Sequence, residues 1–218
     1  MAYFSLSIFS ADFCNIGNAI KKAEECKVNY LHFDVMDGHF VPMLGFGISA
    51  LERIKEFTYI PIDVHLMVNN LNKFVKEFSE FHVNSINIHI ENNNHKKIIN
   101  LLKYIKSKSI KPSIAISPDT DILELNKYLD YIDEVLIMSA LPGVKSSSFI
   151  PEIFERINKA NYIISSNAKD IIIAVDGALD EYKALKCIEN GAKKIIIGRE
   201  FFKTLKPLDL VSKISICN

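Results

Sequence analysis

Eight short runs of β-branched and aromatic residues recur at fairly even intervals along the 218 residues, and each is followed by a longer amphipathic stretch rich in Lys, Glu and Asn. The strand runs are Tyr3–Phe9, Tyr30–Val35, Pro61–Leu66, Ser85–His89, Pro112–Ile116, Glu134–Met138, Ile171–Val175 and Lys194–Ile197. The helical stretches are Ile16–Cys26, Ile48–Phe57, Leu71–Phe81, His95–Lys106, Ile122–Leu129, Pro151–Ala160, Glu181–Asn190 and Leu208–Ile216. Strand then helix, eight times over, is the count of a (β/α)8 barrel. Such barrels run from about 200 residues upward, so this one must be compact, with short loops. The rival, a doubly wound open sheet, wants a glycine-rich loop after its first strand. Residues 5–13, S-L-S-I-F-S-A-D-F, contain no glycine. The expectation is an α/β chain forming a single TIM-barrel domain over residues 1–218.

Charge and cysteine content narrow the partners. The 26 basic and 26 acidic residues cancel, which leaves no global field for nucleic acid or an acidic membrane surface. An anionic ligand must then be held by a local site. With 49% hydrophobic residues the chain can bury a large core, yet no apolar run approaches the roughly 18 residues of a membrane span. Cys14, Cys26, Cys187 and Cys217 form no C-x-x-C pair and are too few to staple a chain of this size. Reduced thiols, a soluble cytoplasmic protein and no leader segment are expected.

In a barrel the reactive side chains stand at the C-terminal ends of strands. The second strand ends in H-F-D-V-M-D-G, where period-two alternation puts His32, Asp34 and Met36 on one face. The third ends in D-V-H-L-M, which groups Asp63, His65 and Met67, and the seventh presents Asp176 at its tip. Alone, His32 reads as a hydrogen-bonded core histidine and Asp176 as a helix cap. Together, two imidazoles and two carboxylates from three strand ends suit a divalent transition metal, Zn or Fe(II) rather than Mg. A metal beside carboxylates that can act as acid and base points to proton transfer next to a ketone. Met36, Met67 and Met138 are either ordinary barrel filling or a dry, polarizable floor beside reacting carbons.

Anion sites in these barrels lie beside the loops after strands seven and eight. Those loops read V-D-G-A-L-D and I-I-G-R-E-F-F, offering Gly177, Gly198 and the guanidinium of Arg199. The sixth loop, P-G-V-K-S-S-S-F, adds Gly143, Lys145 and three serines. A small phosphorylated substrate is expected, with its carbon skeleton unspecified.

At this point the chain resembles the ribulose-phosphate 3-epimerase family. The matching segments are S-I-F-S-A-D-F at 7–13, H-F-D-V-M-D-G-H-F-V-P at 32–42, D-V-H-L-M-V at 63–68, H-I-E at 89–91, V-L-I-M at 135–138, P-G at 142–143 and V-D-G at 175–177. The resemblance implies a barrel that interconverts D-ribulose 5-phosphate and D-xylulose 5-phosphate by inversion at C3, in a homo-oligomer. It implies one divalent ion, Zn or Fe(II) before Mn or Co, held by His32, Asp34, His65 and Asp176. Asp34 and Asp176 would be the acid and base on opposite faces of an enediolate. By the resemblance Ser7, Met36, Met67 and Met138 would surround the reacting carbons; His65 and, from the loop reading, Gly143, Gly177, Ala178, Gly198 and Arg199 are expected to bind the substrate as well.

Departures concentrate in the substrate-holding loops. Met43 stands where the family usually has Asn, and Leu141–Ser147 lacks the paired glycines of the sixth loop. Ala178 replaces a usual glycine and Arg199 a usual small residue, while Ser117 and Asp119 replace Asn or Lys, and Gly. The pattern suits the same reaction on another ketose phosphate, such as D-allulose 6-phosphate, as the alternative. A non-catalytic metal- or sugar-phosphate-binding relative is disfavoured, because binding alone needs no acid and base on opposite faces.

Overall fold

The computed structural model describes residues 2–91, 93–144 and 147–216, so Lys145 and Cys217 lie outside the described residues. The strand runs close into a parallel barrel in chain order. The strands are β1 Tyr3–Ser7, β2 Tyr30–Met36, β3 Ile62–Met67, β4 Ser85–His89, β5 Lys111–Ile116, β6 Glu134–Met138, β7 Ile172–Asp176 and β8 Lys194–Ile197. β8 pairs back onto β1 from Tyr3↔Lys194 to Leu6↔Ile197, which removes both sheet edges. The helices are α1 Ile16–Glu25, α2 Ile48–Phe57, α3 Leu71–Ser79, α4 His95–Ser107, α5 Ile153–Ser166, α6 Glu181–Glu189, α7 Arg199–Lys203 and α8 Pro207–Ile216. Among the described residues, no helix is long and apolar enough to cross a membrane.

Strand alternation divides the interior in two. Outward-facing Phe4, Leu6, Leu31, Phe33, Val64 and Leu66 merge with Leu51, Val75, Phe78 and Leu102 of the helices into one continuous apolar shell. The inward face is mostly polar. One register row runs Asp34↔His65↔Asn87↔Ser113↔Glu134, and the stagger of the barrel carries it from the end of β2 to the start of β6. A small apolar plug of Ala115, Leu136, Met138, Ala174 and Ile196 fills the opposite wall.

The floor of the barrel is ionic. Lys194 Nζ donates to Asp63 Oδ2 at 2.8 Å and to Glu134 Oε2 at 2.5 Å, and it lies 4.3 Å from the centre of the Tyr30 ring. Asp63 Oδ1 accepts from Asn84 Nδ2 at 2.6 Å and Ser85 Oγ at 2.7 Å. Burial holds the Glu134 carboxyl above its usual range, with the Lys194 ammonium acting against that shift. Breaking a buried pair from one side leaves an uncompensated charge, which costs about 3–5 kcal/mol. Lys194→Met is therefore expected to lower unfolding stability by that order in urea titration. An unchanged midpoint would show that the floor tolerates two unpaired carboxyl groups.

Local differences from the sequence expectation have physical causes. β1 stops at Ser7, and a 3-10 turn at Ile8–Ser10 swings Phe9 toward Phe13 and Phe46, with ring centroids 5.4 and 5.7 Å away. The expected helix over Ile122–Leu129 is a 3-10 segment, Ile122–Lys127, capped by Asp121 Oδ1 accepting from the Leu123 N–H at 3.0 Å. Its buried Ile122, Leu125 and Tyr128 recur every three residues, the 3-10 period. α5 continues to Ser166 because Ile163 and Ile164 stay on the buried face. α7 is an additional short helix directly after Gly198.

Candidate metal centre and active site

Adjacent strands bring the first three polar groups together. Register pairs Asp34 with His65 and Met36 with Met67, so the ends of β2 and β3 face the barrel mouth side by side. Asp176 enters from the tip of β7. His32 Nε2, Asp34 Oδ1, His65 Nδ1 and Asp176 Oδ2 then converge, with His32 and His65 fully buried. The histidine nitrogens are 3.2 Å apart. Asp34 Oδ1 lies 3.3 Å from His32 and 3.4 Å from His65, and Asp176 Oδ2 lies 3.7 and 4.0 Å from the same two nitrogens.

These spacings test whether the group suits a metal. A tetrahedron with ligand bonds of about 2.1 Å has edges of about 3.4 Å. The five distances straddle that value, and all four ligand atoms lie within 4.8 Å of one another. Two neutral nitrogens and two anionic oxygens also match the donor preference of Zn or Fe(II) over Mg. The residues fit a divalent transition metal.

Burial and mutual charge set the electrostatics of the cluster. Burial opposes charge on His32, but the Asp34 carboxylate, with Asp176 behind it, pushes this imidazole up to about 9. Burial pushes His65 down to about 4, against the pull of Asp34. Burial alone would raise Asp34, yet the two histidines hold it well below the usual carboxylate range. Asp176 goes the other way, raised by burial and by the Asp34 charge despite His32. The same buried cluster thus pushes the two carboxyl groups in opposite directions.

One consequence is measurable. A ligand binds metal only in its basic form, so the proton on His32 must leave when the ion enters. Affinity for Zn(II) should therefore climb with pH and flatten only above about pH 9, where free His32 has lost its proton. Calorimetry at pH 7 in buffers of different ionisation enthalpy should report about one proton released per ion or more. Release of none would mean that His32 is neutral in the free site.

The surrounding loops shape a cavity of about 420 Å³, within the usual range for a small-molecule site. Asp34, Asp176, Met36, Met67 and Met138 line it together with Gly143, Gly177, Ala178 and Arg199. Met36 and Met67 pack with Val41 against Phe9, Phe40 and Met43. Asp37 stiffens the β2 loop by accepting from the N–H groups of His39, Phe40 and Asn69, each at 2.8 Å. Gly143 is required where the sixth loop crosses this one. Its φ is +59°, and a Cβ there would sit 2.4 Å from Val41 Cβ. Gly177, at φ +121°, would clash with the Ala140 backbone N at 2.7 Å.

The other expected residues are placed as follows. Ser7 Oγ donates to Asp34 Oδ2 at 2.8 Å, fixing the carboxylate so that its other oxygen faces the donor cluster. Ser7, Gly198 and Arg199 border an adjoining cleft between the β7 and β8 loops, and Arg199 makes no ion pair among the described residues. Ala178 carries φ +50°, a left-handed conformation that usually favours glycine. Asp63 shares the inward face with His65 but belongs to the floor.

Three residues gained no role from the sequence. Lys183 lines the cleft, donating to Asp180 Oδ2 at 2.8 Å, because the first turn of α6 folds back over the V-D-G-A loop. A helix start directly after that loop was the available signal. His89 and Glu91, visible in the H-I-E segment, stand immediately behind His65.

Comparison with known proteins places this geometry. The model of the ribulose-phosphate 3 epimerase family matches residues 3–202. The chain belongs to the ribulose-phosphate 3-epimerase family. A ribulose-phosphate 3-epimerase of Methanocaldococcus jannaschii is 37% identical over 93% of this chain and 85% of its own length. The protein of that name from Bacillus subtilis is 32% identical over 88% of each chain. The tryptophan synthase α-subunit of Pyrococcus furiosus superimposes with a TM-score of 0.69 at 14% identity, over 99% of this chain and 95% of its own, which shows the shared barrel fold alone. As a member of the epimerase family, the chain is an isomerase, and its His/Asp cluster lies within the matched residues.

Proposed function

We propose that this epimerase inverts C3 of a ketose phosphate, converting D-ribulose 5-phosphate to D-xylulose 5-phosphate, with Asp34 and Asp176 as the paired acid and base. The observation that carries the reading is the convergence of two carboxylates, from β2 and from β7, on one buried donor cluster at the cavity floor. His32, Asp34, His65 and Asp176 would hold the ion. When bound, it supplies Lewis-acid charge that stabilises negative oxygen on the substrate.

The protein side chains do the rest. One aspartate takes the C3 proton from one face, leaving a planar enediolate, and the other delivers a proton to the opposite face. Each group changes protonation state once per turnover, so the reverse reaction restores both. Ser7 keeps Asp34 aligned through its 2.8 Å hydrogen bond. Met36, Met67 and Met138 cover the planar carbon skeleton with apolar, polarizable surface that shields it from water and stray protonation.

We assign the phosphate to the cleft beside Ala178, Gly198 and Arg199, with Gly177 on the adjoining wall of the main cavity. Hydrogen bonds to a charged group contribute about 1.5–3 kcal/mol. Because the phosphate does not react, that contact acts as uniform binding. Arg199→Ser should accordingly raise KM about tenfold or more while kcat changes little. Lys183→Ala measured alongside identifies the contribution of the second cation. Unchanged kinetic constants in both would leave phosphate recognition to backbone N–H groups.

Arg199 and Ala178 also favour a second reading, a hexulose phosphate such as D-allulose 6-phosphate, since both alter the edge that meets the substrate's far end. An epimerisation assay against pentulose 5-phosphates and hexulose 6-phosphates decides. Turnover of D-ribulose 5-phosphate supports the first reading, preference for the hexulose supports the second, and no turnover of either rejects both.

A further inference from the structure

Behind His65, on the side away from the cavity, a chain of hydrogen bonds leads out to a carboxylate that the reaction does not use. His65 Nε2 is 3.0 Å from His89 Nε2, and His89 Nδ1 is 2.8 Å from Glu91 Oε2. The two imidazoles stack with centroids 5.1 Å apart and planes at 24°, and Phe40 covers the outer ring at 4.9 Å. Glu91 is itself held from the far side. Its Oε1 accepts from the Ser117 N–H at 2.8 Å and from Thr120 Oγ1 at 2.7 Å, while Arg156 Nη2 of α5 donates to the Ser117 carbonyl at 3.0 Å. Ser117 Oγ lies a further 3.4 Å from His89 Nδ1.

We infer that Glu91 and His89 are positioning residues that select the tautomer of His65 and so expose its Nδ1 lone pair to the metal site. The logic is a matter of donor and acceptor inventory. An ionised carboxylate only accepts, so His89 must carry its proton on Nδ1. Neutral His89 then has only an acceptor at Nε2, and His65 must carry its proton on Nε2 to donate there. Nδ1 of His65 is left bare, facing His32, Asp34 and Asp176. The local alternative is unfavourable to binding. Asp34 Oδ1 sits 3.4 Å from the same Nδ1 and would draw the proton onto it, blocking the ligand atom. Partners of this kind behind a ligating histidine typically change metal affinity by about 10–100-fold when removed.

Glu91→Gln is the sharpest probe because an amide has one acceptor and one donor end. Either its NH2 faces His89, which reverses the chain, or it faces the Ser117 N–H, which sets two donors against each other. The inference rests on the metal reading proposed above, so two measurements keep the failures apart. First, nitrogen-15 correlation spectra of the metal-free protein report which nitrogen of His65 carries the proton. The parent should show Nε2–H, and Glu91→Gln should show a reversed or mixed state. Second, competition with a chromogenic chelator reports affinity for Zn(II) alone. Glu91→Gln and His89→Leu should each lose about 10–100-fold. His89→Gln, which can place an amide oxygen near the former Nε2, should recover most of that loss. Comparing His89→Gln with His89→Leu keeps the test decisive even if Glu91→Gln folds poorly. A parent that binds no Zn(II) overturns the metal reading. A parent His65 protonated at Nδ1, or equal losses in the two His89 variants, overturns the relay.

Discussion

Asp34→Asn and Asp176→Asn should each stop net epimerisation, with the rate falling by at least the 10²–10⁴-fold, roughly, that general acid–base groups contribute. The loss should run toward the upper end because each carboxylate is also a donor in the His/Asp cluster. What distinguishes two bases from one is the fate of solvent deuterium. In a two-base reaction each aspartate serves one C3 epimer. A variant lacking one base can still exchange the C3 proton of the epimer served by the other, without forming the opposite epimer. The two variants should therefore wash deuterium into different epimers, followed by proton NMR of the sugar. Exchange into both epimers in one variant and into neither in the other would point to one base, and would reassign the second aspartate to metal holding alone. Asp34 carries the stronger expectation as the ionised group at rest, since His32 and His65 hold its carboxyl low while burial raises Asp176.

Removal of metal by a chelator should abolish turnover, and His65→Ala should lower bound metal together with rate. A cluster of four donors that loses one forfeits both charge stabilisation and the frame that aligns its carboxylates. Metal content by atomic emission and kcat should fall together in His32→Ala and His65→Ala, and added Zn(II) should restore the chelated parent but not the variants at equal concentration. Full activity in the chelated protein would falsify the metal reading, and the cluster would then be an ion-pair network that positions two carboxylates. The floor makes the control. Lys194→Met should reduce stability without changing metal content, because Lys194 contacts Asp63 and Glu134 and none of the four donors.

Much of the site is legible in the sequence. Period-two alternation in H-F-D-V-M and D-V-H-L-M placed His32, Asp34, Met36, His65 and Met67 on inward faces, and the structure has all five there. Asp176 and Met138 followed from their positions at strand ends, and β6 and β7 register them as a pair. Less legible were features that depend on where a loop returns. Lys183 reaches the cleft only because α6 starts immediately over the seventh loop, and Phe9 leaves its strand to join an aromatic group from two other segments. The segment at Ile122–Lys127 shows a subtler failure. Its apolar spacing of three satisfies a helical reading, but the Asp121 cap and the short run favour the tighter 3-10 turn.

By itself the sequence determined the alternation of strands and helices, the inward or outward sense of each strand residue, and the residue types available at the mouth, because these depend on local periodicity and on side-chain chemistry. Only the tertiary structure decided which inward residues act together. Asp63 and His65 occupy one face of one strand, two residues apart, and the sequence offers both as equals. Barrel closure separates them, since a strand rises about 3.3 Å per residue and the stagger brings Lys194, 131 positions away, against Asp63. Asp63 becomes part of the ionic floor, while His65, some 6–7 Å higher on the same rise, meets His32, Asp34 and Asp176. The same closure sets His89 and Glu91 behind His65, where an otherwise unassigned H-I-E segment can govern which nitrogen the site presents.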